Sequence, residues 1–504
     1  MIHFIKKTLF LLITYILFQT QLTASTLNLA MTSSPSRLNP ILSNDSASSE
    51  ISQWLFNGLF KYDKNGKIVN DLASGYKFHS KTKLVIKLRK DVFWHDGEKF
   101  TSKDVLFTYN SIINPKIFVS FISNYQKVKS VRAIDDYTLE VIYSKPYFKA
   151  LEVWLVGILP HHIYKDEKDM MTSKFNKTPI GTGSYKLSSF KTGKDIKLVA
   201  NENYFEGKPK INEIHYSLIL DPSTSFLMLK KNKLDIGSLT ALQIDRQINA
   251  QFKKDYQIIE QPSKGYNYLG FNLRLKKFQD IKVRRALSLA INRQELIDIL
   301  YFGHAKICHG PFLRGGFAFN KNVLSPKQDI NKALKLLKDA GYDENNPLEF
   351  EVVTSTGSQT GINTVQILQH QLKKVNVNLK IAVMEWQAFL NTKVLARNFD
   401  AVVLGWNLAL MPDAYSIWHS KSDKKGGFNF IGYKNNTVDK LIEKGALTVD
   451  KEKLGIIYKQ LFKLISEDVP YLFLIVPNTV QAVNGDIKNI KPAFTGIMHN
   501  QKIG

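Results

Sequence analysis

Residues 348–406 alternate strand-like and helix-like patterns in a way that leaves few sheet topologies open. Leu348–Ser355 reads as a strand, and 360–374 as a helix with Val365, Leu368, Leu372 and Val375 on one face. Leu379–Glu385 is a second strand, followed by a short helix over 387–396 and a third strand, Phe399–Trp406. Strands joined by single helices need right-handed crossovers, and so a parallel arrangement. Ligands of open parallel sheets sit outside the carboxyl ends of the strands. Here those ends carry Thr354, Ser355, Thr356, Gly357 and Ser358, then Glu385-Trp386, then Trp406. A hydroxyl-rich loop and two indoles are therefore expected at one edge. Core packing is the competing reading for each indole, but both lie at strand ends rather than centres, which favours a cleft.

The first half of the chain is patterned differently. Short alternating runs such as Leu84–Leu88, Thr138–Tyr143, Ile196–Val199 and Ile214–Ile219 read as strands, separated by turns such as Asp63-Lys64-Asn65-Gly66. From about residue 280 the period becomes helical. Asp280 can cap a helix carrying Val283, Leu287 and Ala290, and Asn292 with Glu295 can start the next. Asp329 opens another, whose Ala333, Leu336, Leu337 and Ala340 form one stripe before the stop at Gly341.

A chain of 504 residues exceeds the size of a single core, so two or three lobes are expected. Lys6 and Lys7, the apolar run Leu9–Phe18 and the small-residue site Leu22-Thr23-Ala24 form an export leader cut before Ser25. The run falls short of the roughly 20 apolar residues of a spanning helix, which sets aside the retained-anchor alternative. Cys308 is the sole cysteine, so neither an internal disulfide nor a lipid anchor after the cleavage point is available. The net charge of +25 is scattered, with Lys-Lys pairs at 230–231, 253–254, 276–277, 373–374 and 424–425. That distribution, in an exported chain, suits a solvated basic surface rather than nucleic acid.

The stretch Leu88–Asn110 contains Trp94-His95-Asp96-Gly97 and then a helix opened by Thr101 with Asp104 in capping-box position. This string resembles the signature of the family 5 extracytoplasmic solute-binding proteins, the peptide- and oligopeptide-binding components of ABC importers. Further stretches resemble the same family in the same order: Asp221–Asp235, Tyr268–Asn272 with Asp280–Arg293, Ala333–Tyr342, and Phe399–Trp406 with Pro412-Asp413. The resemblance implies an α/β fold of the two-lobed periplasmic binding protein type (class II, large peptide-binding form). It has mixed sheets, an inserted third subdomain and a two-strand hinge. On that pattern residues 1–24 are the signal peptide, and 25–50, 175–262 and 475–504 form the core of the first lobe. Residues 51–174 are its inserted subdomain, and 263–474 the second lobe. Crossings are expected near Gln261–Tyr266, a Pro/Gly-punctuated segment, and Val469–Pro477. Two crossing strands permit a hinge closure that excludes water from the ligand.

The resemblance also implies a short peptide as ligand. In the better-known receptors an Asp shortly after the Gly-Trp pair anchors the peptide amine; at that spacing this chain has Ala409. Either Asp413 takes the role or the ligand lacks a conventional free amine there. Asp413 with Tyr415 and Trp418 resembles the variant in branches that include receptors for sugars, opines and nickel complexes.

The candidate ligand-binding residues are Trp406, Asp413, Trp386, Tyr268, Asn272, Tyr415, Tyr266, Arg314 and Ser355. Each has a plainer reading. Asp413 suits an N-cap; Tyr266 and Tyr268, on one face of a strand, suit hinge packing. Asn272 suits a loop tie, and Arg314, in a glycine-rich loop, suits a solvated surface. The hydroxyl-rich stretch Ser33–Ser52 holds Asp45 and Glu50 and borders the ligand in the family. His95-Asp96-Gly97 reads as a structural turn, since neighbouring turn residues point apart and no nucleophile is linked to them. His304, Cys308 and His309 fit no tetrahedral spacing, so no metal is assigned. No cofactor is expected, and Gly-x-Ser-x-Gly, His-Glu-x-x-His and phosphate-loop motifs are missing from the sequence. Gly181-Thr182-Gly183-Ser184-Tyr185 precedes a strand rather than a helix, so it lacks a dipole for phosphate.

The expected protein is thus a periplasmic, monomeric carrier rather than an enzyme. It captures a short peptide and delivers it to an ABC importer permease with its ATPase. A receptor for a nickel chelate or another small solute is one alternative, and an exported hydrolase on the same scaffold is another.

Overall fold

The computed structural model describes residues 25–43, 45–167, 169–424, 427–490 and 492–496; the leader expected at 1–24 lies outside the described residues. Its organising element is the strand Tyr471–Asn484. The first half of this strand pairs antiparallel with Gly265–Phe271 and Ala305–Ile307. Its second half pairs with Tyr256–Pro262 and Ile236–Leu239. The sheet therefore changes partners at Pro262–Gly265 and at Pro477–Asn478. Proline supplies no N–H to a ladder, so both switch points are weak rungs.

On one side the sheet continues through Ala401–Asn407 and Leu348–Ser355 to the edge strand Val377–Met384. Leu348–Ser355 is parallel to both neighbours, as strands joined by single helices require. On the other side, beyond Ile236–Leu239, come Thr26–Met31, Glu213–Leu218, Asp195–Ala200 and Tyr185–Lys191. Thr26–Met31 runs parallel to Glu213–Leu218 and Ile236–Leu239. No helix among the described residues is long and apolar enough to cross a membrane.

The helix starts follow their sequence signals. Asp280, Asn292 and Asp329 each accept backbone N–H bonds at the amino ends of Ile281–Ala290, Arg293–Tyr301 and Ile330–Lys338. Arg284 and Arg293, both buried, then tie the first two helices to the central strand. The Arg284 guanidinium donates to the carbonyls of Asp468 and Val469, and Arg293 Nε donates to the Phe473 carbonyl at 2.7 Å. Burial pulls the Arg293 pKa down to about 10, and carbonyl dipoles take the place of a counter-ion.

One expected element differs. The helix read over 387–396 is a turn, Trp386–Ala388, followed by a π-helical turn, Phe389–Val394. Phe389 and Val394 are both fully buried. An i→i+5 turn brings residues five apart onto nearly the same face, which an α-helix does not.

Between Met31 and Tyr185 the chain leaves the main sheet. It builds the hairpin Phe60–Tyr62 with Ile68–Asn70 and an antiparallel sheet ordered Ala73–Ser80, Lys83–Leu88, Thr138–Tyr143, Val128–Asp135. Leu84, Ile86, Leu139 and Val141 alternate inward and join a core that also holds Leu27, Leu29 and Ile214 of the main sheet. Helix Ser102–Ile113 starts with the expected capping box on Thr101 and Asp104, whose second oxygen also accepts from His161 N–H at 2.8 Å.

The Trp94–Gly97 turn bolts this excursion to the main sheet. His95 Nε2 lies 3.0 Å from the Gly183 carbonyl, and Nδ1 accepts the Gly181 N–H at 3.2 Å. Lys186 Nζ donates to the His95 carbonyl at 2.9 Å. The glycines allow close approach: a Cβ on Gly181 would stand 1.7 Å from the Leu55 carbonyl oxygen, to which Gly183 N–H donates at 2.9 Å. The glycine-rich loop thus closes the end of helix Ser46–Leu55.

Nδ1 can accept only from a neutral ring, and burial pulls the His95 pKa down to about 4. Between an unfolded pKa near 6.5 and this value, only the unfolded chain takes up the proton, so stability falls as pH falls through that window. Denaturant unfolding should lose about 3 kcal/mol between pH 6.5 and 4 through this residue. His95→Gln should lack that component; parallel pH profiles for the two proteins would contradict the assignment.

Candidate functional site

A cavity of about 710 Å³ lies where the excursion faces the far half of the main sheet. One wall carries Gln53, Asn57, Lys61, Tyr62, Asp71 and Glu206; the other carries Lys264, Leu410 and Thr495. The first wall hangs on the hairpin turn Asp63–Gly66, where Asp63 Oδ1 accepts from Asn65 and Lys67 N–H. Gly66 has a φ of 75°, and a Cβ there would meet the Phe494 ring at 2.8 Å. Phe494 therefore packs directly on that turn.

Lys61 forms ion pairs with Asp71 at 3.2 Å and Glu206 at 2.9 Å. Asn57 donates to Asp71 Oδ2 at 3.0 Å and accepts from Thr182 Oγ1 at 3.1 Å. Burial drives the Asp71 carboxyl up, and Lys61 and Asn57 offset this only in part. Burial acts to lower Lys61, but Asp71 and Glu206 overcome it and hold the ammonium above its ordinary range. The cluster sets two carboxyl groups against the one ammonium of Lys61.

Tyr62 O–H donates to Glu152 Oε1 at 2.8 Å, while Glu152 Oε2 is buried without a hydrogen-bond partner among the described residues. Burial raises the Glu152 pKa, Lys149 opposes this, and the charge of Asp413 adds to it. Asp413 thus lies near enough to Glu152 for its charge to be felt there. Its Oδ1 accepts the Tyr415 N–H at 3.1 Å, capping helix Ala414–Trp418.

A second cavity, of about 240 Å³, sits at the carboxyl ends of Thr26–Met31 and Ile236–Leu239. Ser33, Ser46, Glu50, Ser238 and Gln481 line it. Burial raises the Glu50 pKa against the lowering effect of the Tyr216 hydroxyl. Helix Ser46–Leu55 separates the two cavities, showing Ser46 and Glu50 to the smaller and Gln53 to the larger.

The residues singled out from sequence fall into three groups. Trp406, Tyr266 and Tyr268 come together, but as packing. Trp406 is stacked between Tyr268 (6.2 Å, 9°) and Phe430 (6.0 Å, 7°), and Tyr268 stacks on Tyr471 at 3.9 Å. Tyr266 and Tyr268 are 3% and 1% exposed, so neither presents an open wall. Asp413 does not line the larger cavity; Leu410, three residues before it, does, and Leu408 N–H is bonded to the Lys264 carbonyl at 2.7 Å.

The remaining residues lie elsewhere. Asn272 donates to the carbonyls of Arg397 and Phe399 and accepts from Arg274. Its strand runs antiparallel to Ala401–Asn407, which puts Asn272 at the edge opposite Trp406. Arg314 is exposed, with its guanidinium 5.9 Å from the Phe319 ring. Ser355 is buried and accepts the Gly357 N–H; Tyr415 stacks on His419 at 4.2 Å; Trp386 is 44% exposed against Phe389. The wall residues Lys61, Asp71 and Glu206 escaped sequence reasoning because they meet only through long-range folding. Lys264 lies within the crossing segment read from sequence, yet its chemistry carried no motif.

His304, Cys308 and His309 do not converge. His304 pairs with Glu260, His309 Nδ1 accepts the Ser325 N–H, and Cys308 is buried with its thiol pushed up to about 12. Among the described residues no three His, Cys, Asp or Glu side chains are grouped to hold a metal ion.

The sequence profile described as bacterial extracellular solute-binding proteins, family 5, middle region, matches residues 67–428. The chain belongs to this family. It is 30% identical over 478 residues to the oligopeptide-binding protein AppA of Bacillus subtilis, covering 91% of this chain and 87% of AppA. The structure of that AppA with a nonapeptide matches with a TM-score of 0.76 at 28% identity, over 95% of this chain and 98% of AppA. NikZ of Campylobacter jejuni, solved with Ni(L-His), matches with a TM-score of 0.78 at 28% identity, over 96% and 98%. The two-lobed fold expected from the sequence is the fold of this extracytoplasmic family, whose members are solute-binding proteins rather than enzymes.

Trp406→Ala should lower the unfolding free energy by about 3 kcal/mol, because it empties the space between two stacked rings. Trp386→Ala should stay within about 0.5 kcal/mol. Equal effects in denaturant titrations would contradict the packing role. Lys61→Met should cost about 2 kcal/mol by leaving Asp71 unpaired, less than for a fully buried pair because Lys61 keeps contact with water. Adding Asp71→Asn should recover most of that loss; a double variant no more stable than Lys61→Met would argue against the pair.

Proposed function

We propose that this chain captures short peptides in the 710 Å³ cavity and, as a periplasmic monomer, delivers them to an ABC importer permease driven by its ATPase. The single observation that carries this reading is the charge layout of the cavity: two carboxyl groups set against one ammonium on one wall and a second ammonium on the other. A peptide brings an ammonium, a carboxylate and a row of amides, and each needs a partner once water is excluded. Asp413 and Glu152, whose charges interact and the second of which has an unpartnered buried oxygen, are the groups proposed to take the ligand ammonium in place of the acid missing at Ala409. The likeness to AppA, whose structure holds a nonapeptide, supports a peptide over other zwitterions.

The likeness to NikZ supports a second reading, a receptor for nickel in a small chelate. A chelate can bring most of its own donors, so a ready-made metal cluster is not required of the protein. Titration calorimetry of the leaderless protein with mixed short peptides and with nickel–histidine separates the two. Heat is expected from the peptides, which should be recovered intact, and Asp413→Asn should weaken their binding about tenfold. Heat from the nickel complex alone, or turnover of the peptide, would contradict the reading.

A further inference from the structure

Lys264 stands at the point where the main sheet changes partners, and its backbone is pinned from both sides. Its carbonyl accepts the Leu408 N–H at 2.7 Å, Ser263 N–H donates to the Pro477 carbonyl at 2.9 Å, and Gly265 pairs with Asn407. Gly265 allows this close seating, since a Cβ there would lie 2.2 Å from the Trp406 carbonyl oxygen. A side chain on so fixed a base can be aimed reproducibly.

The Lys264 side chain lines the cavity, and no described ion pair includes it. Its ammonium donates to the Thr495 carbonyl at 2.9 Å, in the turn Ala493–Gly496. Partial burial pulls its pKa down, and no protein charge offsets the effect. Across the cavity Lys61 is already matched by Asp71 and Glu206. Lys64 is the other lining cation outside any described ion pair, but it sits at the tip of the Asp63–Gly66 turn, without the sheet-crossing backbone ties that fix Lys264.

Resting on the reading that the ligand is a peptide, we propose that Lys264 receives its terminal carboxylate. The carboxylate takes the place of the Thr495 carbonyl on the ammonium, so that the carboxyl end of the ligand lies at the sheet crossing. The exchange replaces a neutral acceptor by a charged one, and charge-assisted bonds are about twice as strong.

The test compares an equimolar tetrapeptide library with the same library as carboxyl-terminal amides. Each is equilibrated with the immobilised full mature chain, and retained peptides are counted by mass spectrometry. The wild type should retain the free acids about tenfold better than the amides. Lys264→Gln should bring that ratio to about one while still retaining amides at the wild-type level, and Lys64→Gln should leave it unchanged. An acid-to-amide ratio unchanged in Lys264→Gln, or one lost in Lys64→Gln instead, would overturn the assignment while leaving peptide binding in place. Retention of neither library by the wild type would overturn both this assignment and the peptide reading.

Discussion

The backbone ladder along Tyr471–Asn484 holds both halves of the molecule on one continuous strand. Arg284 and Arg293 sew the helices Ile281–Ala290 and Arg293–Tyr301 onto carbonyls at and just before its start. Tyr268 and Trp418 pack on its Tyr471, and Lys264 sits beside its change of partners. The two weak rungs at Pro262 and Pro477 lie where two halves would have to rock on closing round a ligand. Strength along the rest of the ladder and weakness at these points are both needed by a binding protein that opens and shuts.

Charge is organised round the same junction. The excursion brings Lys61 and Asp71 to Glu206, and Tyr62 to Glu152, at a face that would otherwise be a simple packing interface. Burying these groups is costly, and a hydrophobic wall would give a more stable fold. Their retention at a cavity is understandable if a charged ligand completes the set. Arg293, by contrast, is fully buried with only carbonyl and hydroxyl partners, and serves the ladder alone.

Much of the fold was legible locally. The unit 348–406 announced its parallel strands through helical crossovers, and Thr101, Asp280, Asn292 and Asp329 announced helix starts, because capping acts within three residues. The π turn at Phe389–Val394 was missed because its cause is the burial of two side chains five residues apart. The site was less legible. Direction along an antiparallel strand puts Asn272 at the opposite end from Trp406, and stacking by Tyr268 and Phe430 leaves Trp406 only part-exposed. Asp71 and Glu206 meet Lys61 across 10 and 145 residues, a relation no short motif can encode. The Trp94–Gly97 string, so telling for the family, owes its residues to the bolt between His95 and the Gly181–Gly183 loop.

The central claim is that the junction cavity carries peptides, and the most direct check is native mass spectrometry of the protein isolated without denaturation from the cells that make it. The bound species should be released intact as short peptides, with masses separated by amino-acid residue increments and fragment ions of peptide type. A bound species of a single mass containing nickel, or any non-peptide solute at full occupancy, would contradict the account.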